Sequence, residues 1–294
     1  MGRAHEWDGL QLLSAIGEQL DADGTVNVVD GGFVVPSTAA AHSSNSGKET
    51  WNVSAKGAGR SATRPRQRTP GWQGTSGGSW PAGTAAPLVG ESVRREYETE
   101  LSGLELHYPG TQIWRQELGF WLLSRSQLLE GLGRRALFLT GVSFAWPAVR
   151  SWGFWGHDLA KPIWIGPRHT NFNDGSICSF ELSDQTWTYG RPIVQLLDLQ
   201  TVWAVRHLHF ELFGRWPGRQ VAHYAVERVV ESVDDELCGC GGLIRYGMCC
   251  KPRDQGCKQV SDAVAFALHT RRPPAPVMAV VNGTGSPPDV TEYI

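Results

Sequence analysis

Cys238, Cys240, Cys249 and Cys250 fall within thirteen residues of one another in the pattern C-x-C-x8-C-C. Thiolates are soft ligands, and four of them complete the tetrahedral shell of a structural zinc ion. Gly239, Gly241 and Gly242 lie between them and permit the sharp turns that bring both pairs onto one ion. A shell closed by four sulfurs keeps no position for water, so the expected metal is structural, stabilising a small appendage with little core of its own. Free or disulfide-bonded thiols are the alternative. Cys257 is left over, either as a free thiol or as a substitute for one of the adjacent pair.

The sixth cysteine, Cys178, stands apart behind His169-Thr170-Asn171-Phe172-Asn173-Asp174-Gly175-Ser176-Ile177. A thiol nucleophile needs access, a share of thiolate, and hydrogen-bond donors aimed at the oxyanion it creates. The Asn171 amide can supply such a donor, and Asp174-Gly175 makes a tight turn that displays the cysteine on a loop. The same residues also fit a buried Ile177-Cys178 core pair with His169 as a structural, hydrogen-bonded imidazole.

The elements that must position these groups are read from composition and periodicity. The chain has 294 residues and a net charge of −2, with 41% hydrophobic residues and mean hydropathy −0.26. That balance disfavours nucleic acid or an anionic membrane as partner. No apolar run reaches the roughly 18 residues of a membrane span, and the first ten residues carry Glu6 and Asp8 without an apolar stretch, so a secretory leader is not expected. Cysteines clustered rather than spread argue for a reducing, cytoplasmic compartment.

Residues 1–35 carry a helical pattern of unknown role (Leu10, Leu12, Leu13, Ile16, Leu20) and an apolar run from 26 to 35. Residues 36–90, rich in Ser, Gly, Ala, Thr and Pro, read as a disordered linker, with Arg60, Arg64, Arg66 and Arg68 its charge cluster. Nine of the thirteen tryptophans lie between Trp114 and Trp216, which locates the ordered core. Ser92 is placed to cap a helix through Val93, Tyr97, Leu101 and Leu104. Strand-like runs follow at 120–123, 136–144 and 162–165, then an irregular stretch over 166–191. Pro192 opens an apolar helix that Gly214 closes, and a further helix is expected over 220–233. The tail after 259 is Pro/Gly-rich and is expected to be disordered. The order predicts an α+β domain whose helices flank an antiparallel sheet.

The His-Thr-Asn triplet, the turn, the cysteine, and Trp187 nine residues beyond it before an apolar helix resemble the active-site region of ubiquitin-conjugating enzymes, of a divergent bacterial type. The likeness spans 91–233. It implies a UBC-like meander and a ubiquitin-like modifier carried as a thioester on Cys178. The modifier would be received from a ThiF-type adenylating enzyme and passed to a lysine of a protein target. It also implies that Asn171 steadies the oxyanion, that His169 organises the loop, and that Asp184 helps deprotonate the incoming amine. Thr170 departs from the family's proline, as do the Trp/Gly-rich insert (Trp152, Gly153, Trp155, Gly156) and the Glu211–Gly218 stretch. Rival readings are a non-catalytic UBC-like scaffold and a hydrolase pairing Cys178 with His169 or His223. Residues 234–258 resemble the SEC-C motif of the SecA translocation ATPase, with Tyr246 at its aromatic position. Gly242-Leu243-Ile244 departs from that motif.

Overall fold

The computed structural model describes residues 9–23, 25–29, 33–35, 51–54, 89–126, 134–157, 160–171, 173–178, 186–222, 224–256 and 258–294. Helix α1 (Gly9–Asp23) precedes a small antiparallel sheet in which β1 (Thr25–Val29) pairs with β2 (Phe33–Val35) on one side and β3 (Trp51–Ser54) on the other. The apolar spacing of α1 turns Ile16 and Leu20 inward, against Val26, Val28 and Val202, and buries Leu13 in a second cluster with Phe138, Ala204 and Leu208. β3 falls within the stretch expected to be linker, where Trp51 and Val53 supply β-propensity. Arg60, Arg64, Arg66 and Arg68 lie outside the described residues.

Helix α2 (Glu91–His107) is followed by five strands: β4 (Gln112–Gln116), β5 (Gly119–Arg125), β6 (Arg135–Ser143), β7 (Ala148–His157) and β8 (Ala160–Trp164). They pair in sequence order, all antiparallel, so each strand neighbours the next in the chain. The cap of α2 is Gly90 rather than Ser92, with no side-chain hydrogen bond. The Trp/Gly-rich insert is the strand β7. Its alternation is hidden because both of its faces are covered, so neither set of residues is polar.

One sheet face carries Phe120, Leu122, Val142 and Phe144 against Tyr97, Leu101 and Leu104 of α2 and against helix α3 (Ile193–Phe213). Gly153 on the same face lets α3 approach: a Cβ there would meet the Trp203 ring at 2.5 Å. Helix α3 is buried on nearly every side, which explains why its apolar residues are not confined to one stripe. It begins after Pro192 and ends at Gly214 in the left-handed conformation (φ 74°). The opposite face presents Trp121, Leu123, Leu137, Leu139, Trp152 and Phe154.

That second face decides the fate of the tail. Helices α4 (Ala225–Glu231), α5 (Lys251–Gln255), α6 (Lys258–Thr270), α7 (Ala275–Val281) and α8 (Val290–Tyr293) follow α3. Val277, Val280, Val281 and Val290 close over the tryptophan-lined face. Gln116 grips both ends of the strap that leads into α8, donating to the Pro288 carbonyl (2.9 Å) and accepting from the Val290 N–H (2.8 Å). The expected disordered tail is therefore corrected. Its few valines suffice because an apolar sheet face would otherwise be exposed to water. The helix expected over 220–233 is shortened to α4, because the Ala222 N–H bonds Gly239 (2.8 Å) and the Gln220 amide donates to Glu236 (2.7 Å) instead of serving a helix.

Candidate metal centre and thiol hairpin

The two cysteine pairs are brought together by a short hairpin and a 3-10 turn. The Cys238 N–H bonds Ile244, the Tyr246 N–H bonds Glu236, and the turn Tyr246–Met248 delivers Cys249, whose N–H returns to Tyr246. The four sulfurs lie within 4.8 Å of one another, close enough to bind one metal ion. Sγ···Sγ is 3.7 Å for Cys240–Cys249 and 3.8 Å for Cys249–Cys250. Four ligands at about 2.3 Å around a tetrahedral ion stand about 3.8 Å apart, whereas a disulfide needs about 2.05 Å. The donor set fits a metal, and none of the four is in a disulfide. The Gly242 N–H, first among its neighbours, pulls the Cys240 thiol down to about 7, while burial pushes Cys250 up. Arg253 also points at the Cys250 sulfur (3.5 Å). Cys257 lies outside the described residues.

Residues 169–178 form a tight hairpin. Thr170 pairs with Ile177, the Asn171 N–H bonds Ser176 (2.7 Å), and the Cys178 N–H bonds His169 (3.1 Å). Alternation along the two short arms turns Thr170 and Ile177 inward and leaves Asn171 and Cys178 exposed on the other side. The Cys178 thiol is thus on the surface. The Asn171 amide donates to Ser176 Oγ (2.8 Å), which leaves its second N–H to face solvent. At the tip, Gly175 takes φ 65°, Asp174 accepts from the Ser176 N–H and Oγ, and Asp174 pairs with Arg150.

Three tryptophans hold the backbone of this hairpin from below. Trp203 donates to the His169 carbonyl (2.9 Å), Trp152 to Asp174 (2.9 Å) and Trp164 to Gly175 (3.3 Å). Each indole buries an apolar body and spends its N–H on a loop carbonyl that the sheet cannot satisfy. His169 itself adopts φ 49°, a conformation uncommon outside glycine. Its ring turns into the interior, 3.8 Å from the Trp216 ring and edge-on to His207. Burial, then His207 and Arg168, hold the imidazole far below its ordinary 6.5, so it stays neutral. Burial likewise pushes His207 down to about 3. Asp184 and His223 lie outside the described residues. Trp187 is buried in the core and donates to Pro192 at the start of α3 (3.0 Å).

Sequence reasoning missed two buried carboxylates. Glu236 accepts from the Trp216 N–H (2.6 Å), the Gln220 amide (2.7 Å) and the Val233 N–H (3.0 Å), and pairs with Arg168 (3.4 Å). Glu231 accepts from the His169 N–H and from Arg271 (2.6 Å), which also reaches the Pro167 carbonyl. Burial raises the Glu231 carboxyl, opposed first by Arg271. The one hint in the sequence is the acidic run Glu231-Ser232-Val233-Asp234-Asp235-Glu236 just ahead of Cys238.

The fold and site together define an α+β protein with a five-stranded antiparallel sheet, a cluster of four cysteines close enough to bind a metal ion and a surface thiol on a braced hairpin. Among the described residues no helix is long and apolar enough to cross a membrane. Comparison with known proteins found no matching family model, no matching curated protein and no matching solved structure.

Proposed function

We propose that the chain is a divergent bacterial ubiquitin-conjugating-type acyl carrier with a structural zinc knuckle. The observation that carries the reading is the exposed Cys178 thiol, on a hairpin that also exposes Asn171 and lies in the chain between a five-stranded sheet and helix α3. Nucleophilic chemistry on a protein-sized acyl donor requires that accessibility.

In this reading the Cys178 thiolate attacks the carbonyl of the modifier's C-terminal glycine, held as a thioester on a ThiF-type activating enzyme. The carbon–sulfur bond to that enzyme breaks, and its thiolate leaves. A lysine amine then attacks the new thioester, an amide forms, Cys178 leaves as thiolate, and the amine's proton passes to a base. Asp184 is the candidate for that base. The second N–H of the Asn171 amide faces the developing oxyanion. His169 contributes through its backbone, which anchors Cys178 and the entry to the hairpin. Burial of its neutral ring argues against His169 as the base of the hydrolase alternative, which needs a basic imidazole next to the thiol. The zinc shell of Cys238, Cys240, Cys249 and Cys250 would be closed to substrate.

The test combines the protein with its activating enzyme, modifier and ATP on a non-reducing gel. A thiol-sensitive mass shift is expected, absent in Cys178→Ala. A shift that persists in that variant, or that never forms with the cognate pair, rejects the acyl-carrier reading and leaves the scaffold alternative.

A further inference from the structure

We infer that the metal cluster is the anchor of the Cys178 hairpin, and that Glu236 is the positioning residue that links them. The inference rests on the four-thiolate metal reading and not on acyl transfer. Two arms join the sites. In the first, Cys238 and Tyr246 belong to the hairpin whose start is Glu236, a side chain with 0% exposure. That carboxylate holds Arg168, the neighbour of His169, and the backbone of Trp216, whose ring stacks on His169. The His169 carbonyl in turn accepts the Cys178 N–H.

In the second arm, α5 begins directly after Cys250, and its Asp254 forms a buried two-pronged pair with Arg228 of α4 (2.7 and 2.9 Å). Three residues along α4, Glu231 accepts the His169 N–H. Both arms therefore end on the same residue, one on its ring and one on its amide. His169 is also the residue whose uncommon φ must be imposed from outside.

Without metal, backbone bonds of the hairpin and the Lys251–Asp234 pair still join the two segments, but the four sulfurs share no common centre and the end of the Glu236 hairpin is held less firmly. With metal, four donors converge on one fixed carboxylate. Glutamine at this position has one acceptor oxygen and an amide that faces N–H groups, so at least two of the four donors lose their partner.

The experiment is hydrogen exchange by mass spectrometry on the full chain, with zinc content measured in parallel. Chelation of zinc is expected to raise exchange of the 168–178 peptide by about tenfold while the 112–125 strands stay protected. Glu236→Gln is expected to keep its zinc, to show raised hairpin exchange with zinc bound, and to respond to chelation only by the smaller part that the Asp254–Arg228–Glu231 arm carries. If zinc removal affects only residues 234–256, or if Glu236→Gln leaves the full response of the hairpin to chelation, about tenfold, the linkage is overturned. Should the metal-free chain unfold throughout, the zinc-bound Glu236→Gln protein decides: hairpin exchange equal to wild type rejects the inference. Absence of zinc from the wild-type protein fails the metal reading itself, separately.

Discussion

Asp198 sits in the core of α3, 1% exposed, with one carboxylate oxygen accepting from Tyr108 (2.7 Å) and the other, Oδ2, without a partner. Burial raises its pKa from 3.8 to about 6, and the Tyr108 hydrogen bond opposes that only in part. A carboxyl whose folded-state value is raised binds its proton more tightly in the native state. Its stabilising contribution is complete below about 4 and is lost as pH rises through about 6. At 1.36 kcal/mol per pKa unit, the contribution that disappears between pH 4 and pH 7 is about 2 to 3 kcal/mol. Asp198→Asn removes the titration but adds a constant penalty, because its amide N–H groups occupy the place where Oδ2 finds no partner. Stability should therefore be compared across pH and not at one pH. Urea unfolding of both proteins from pH 4 to pH 7 should show wild type losing about 2 to 3 kcal/mol relative to the variant. Titration of all other groups cancels in the difference. A difference that stays constant within about 0.5 kcal/mol would refute the assignment of a raised carboxyl at this position.

Arg228→Met leaves the buried Asp254 with only the long contact to the exposed Arg253 (3.6 Å), so thermal or urea unfolding should register a loss of about 3 kcal/mol. Arg228→Met with Asp254→Leu should recover most of it. Gly153→Ala places a methyl against the Trp203 ring and should cost about 1–3 kcal/mol in the same assay. Gly103→Ala, in α2 with no heavy atom within 4 Å of the added carbon, should instead stabilise by about 0.5–1 kcal/mol. Elemental analysis should find about one zinc per chain, lost in Cys238→Ser with Cys240→Ser. Full metal retained by that double variant would reject these ligands.

The cysteine cluster was legible because its ligands are local. Thirteen residues with four intervening glycines can close on one ion whatever the rest of the chain does. Helix α3 was legible for a related reason: Pro192 and Gly214 punctuate it, and both act through backbone conformation alone. The α+β layering also followed from the order of apolar runs. Strand β7 and the covered sheet face were not legible, because alternation vanishes when both faces are buried.

The amino-acid sequence by itself determined which groups exist for chemistry and which short segments close on themselves: the thiolate quartet, the turn before Cys178, the punctuated helix. Tertiary structure alone decided which of those groups meet water. It placed Cys178 outward and the His169 ring inward, because three tryptophan N–H groups and two buried carboxylates from distant parts of the chain set the hairpin's backbone. Contacts of that kind depend on where separate elements pack, and no local spacing encodes them.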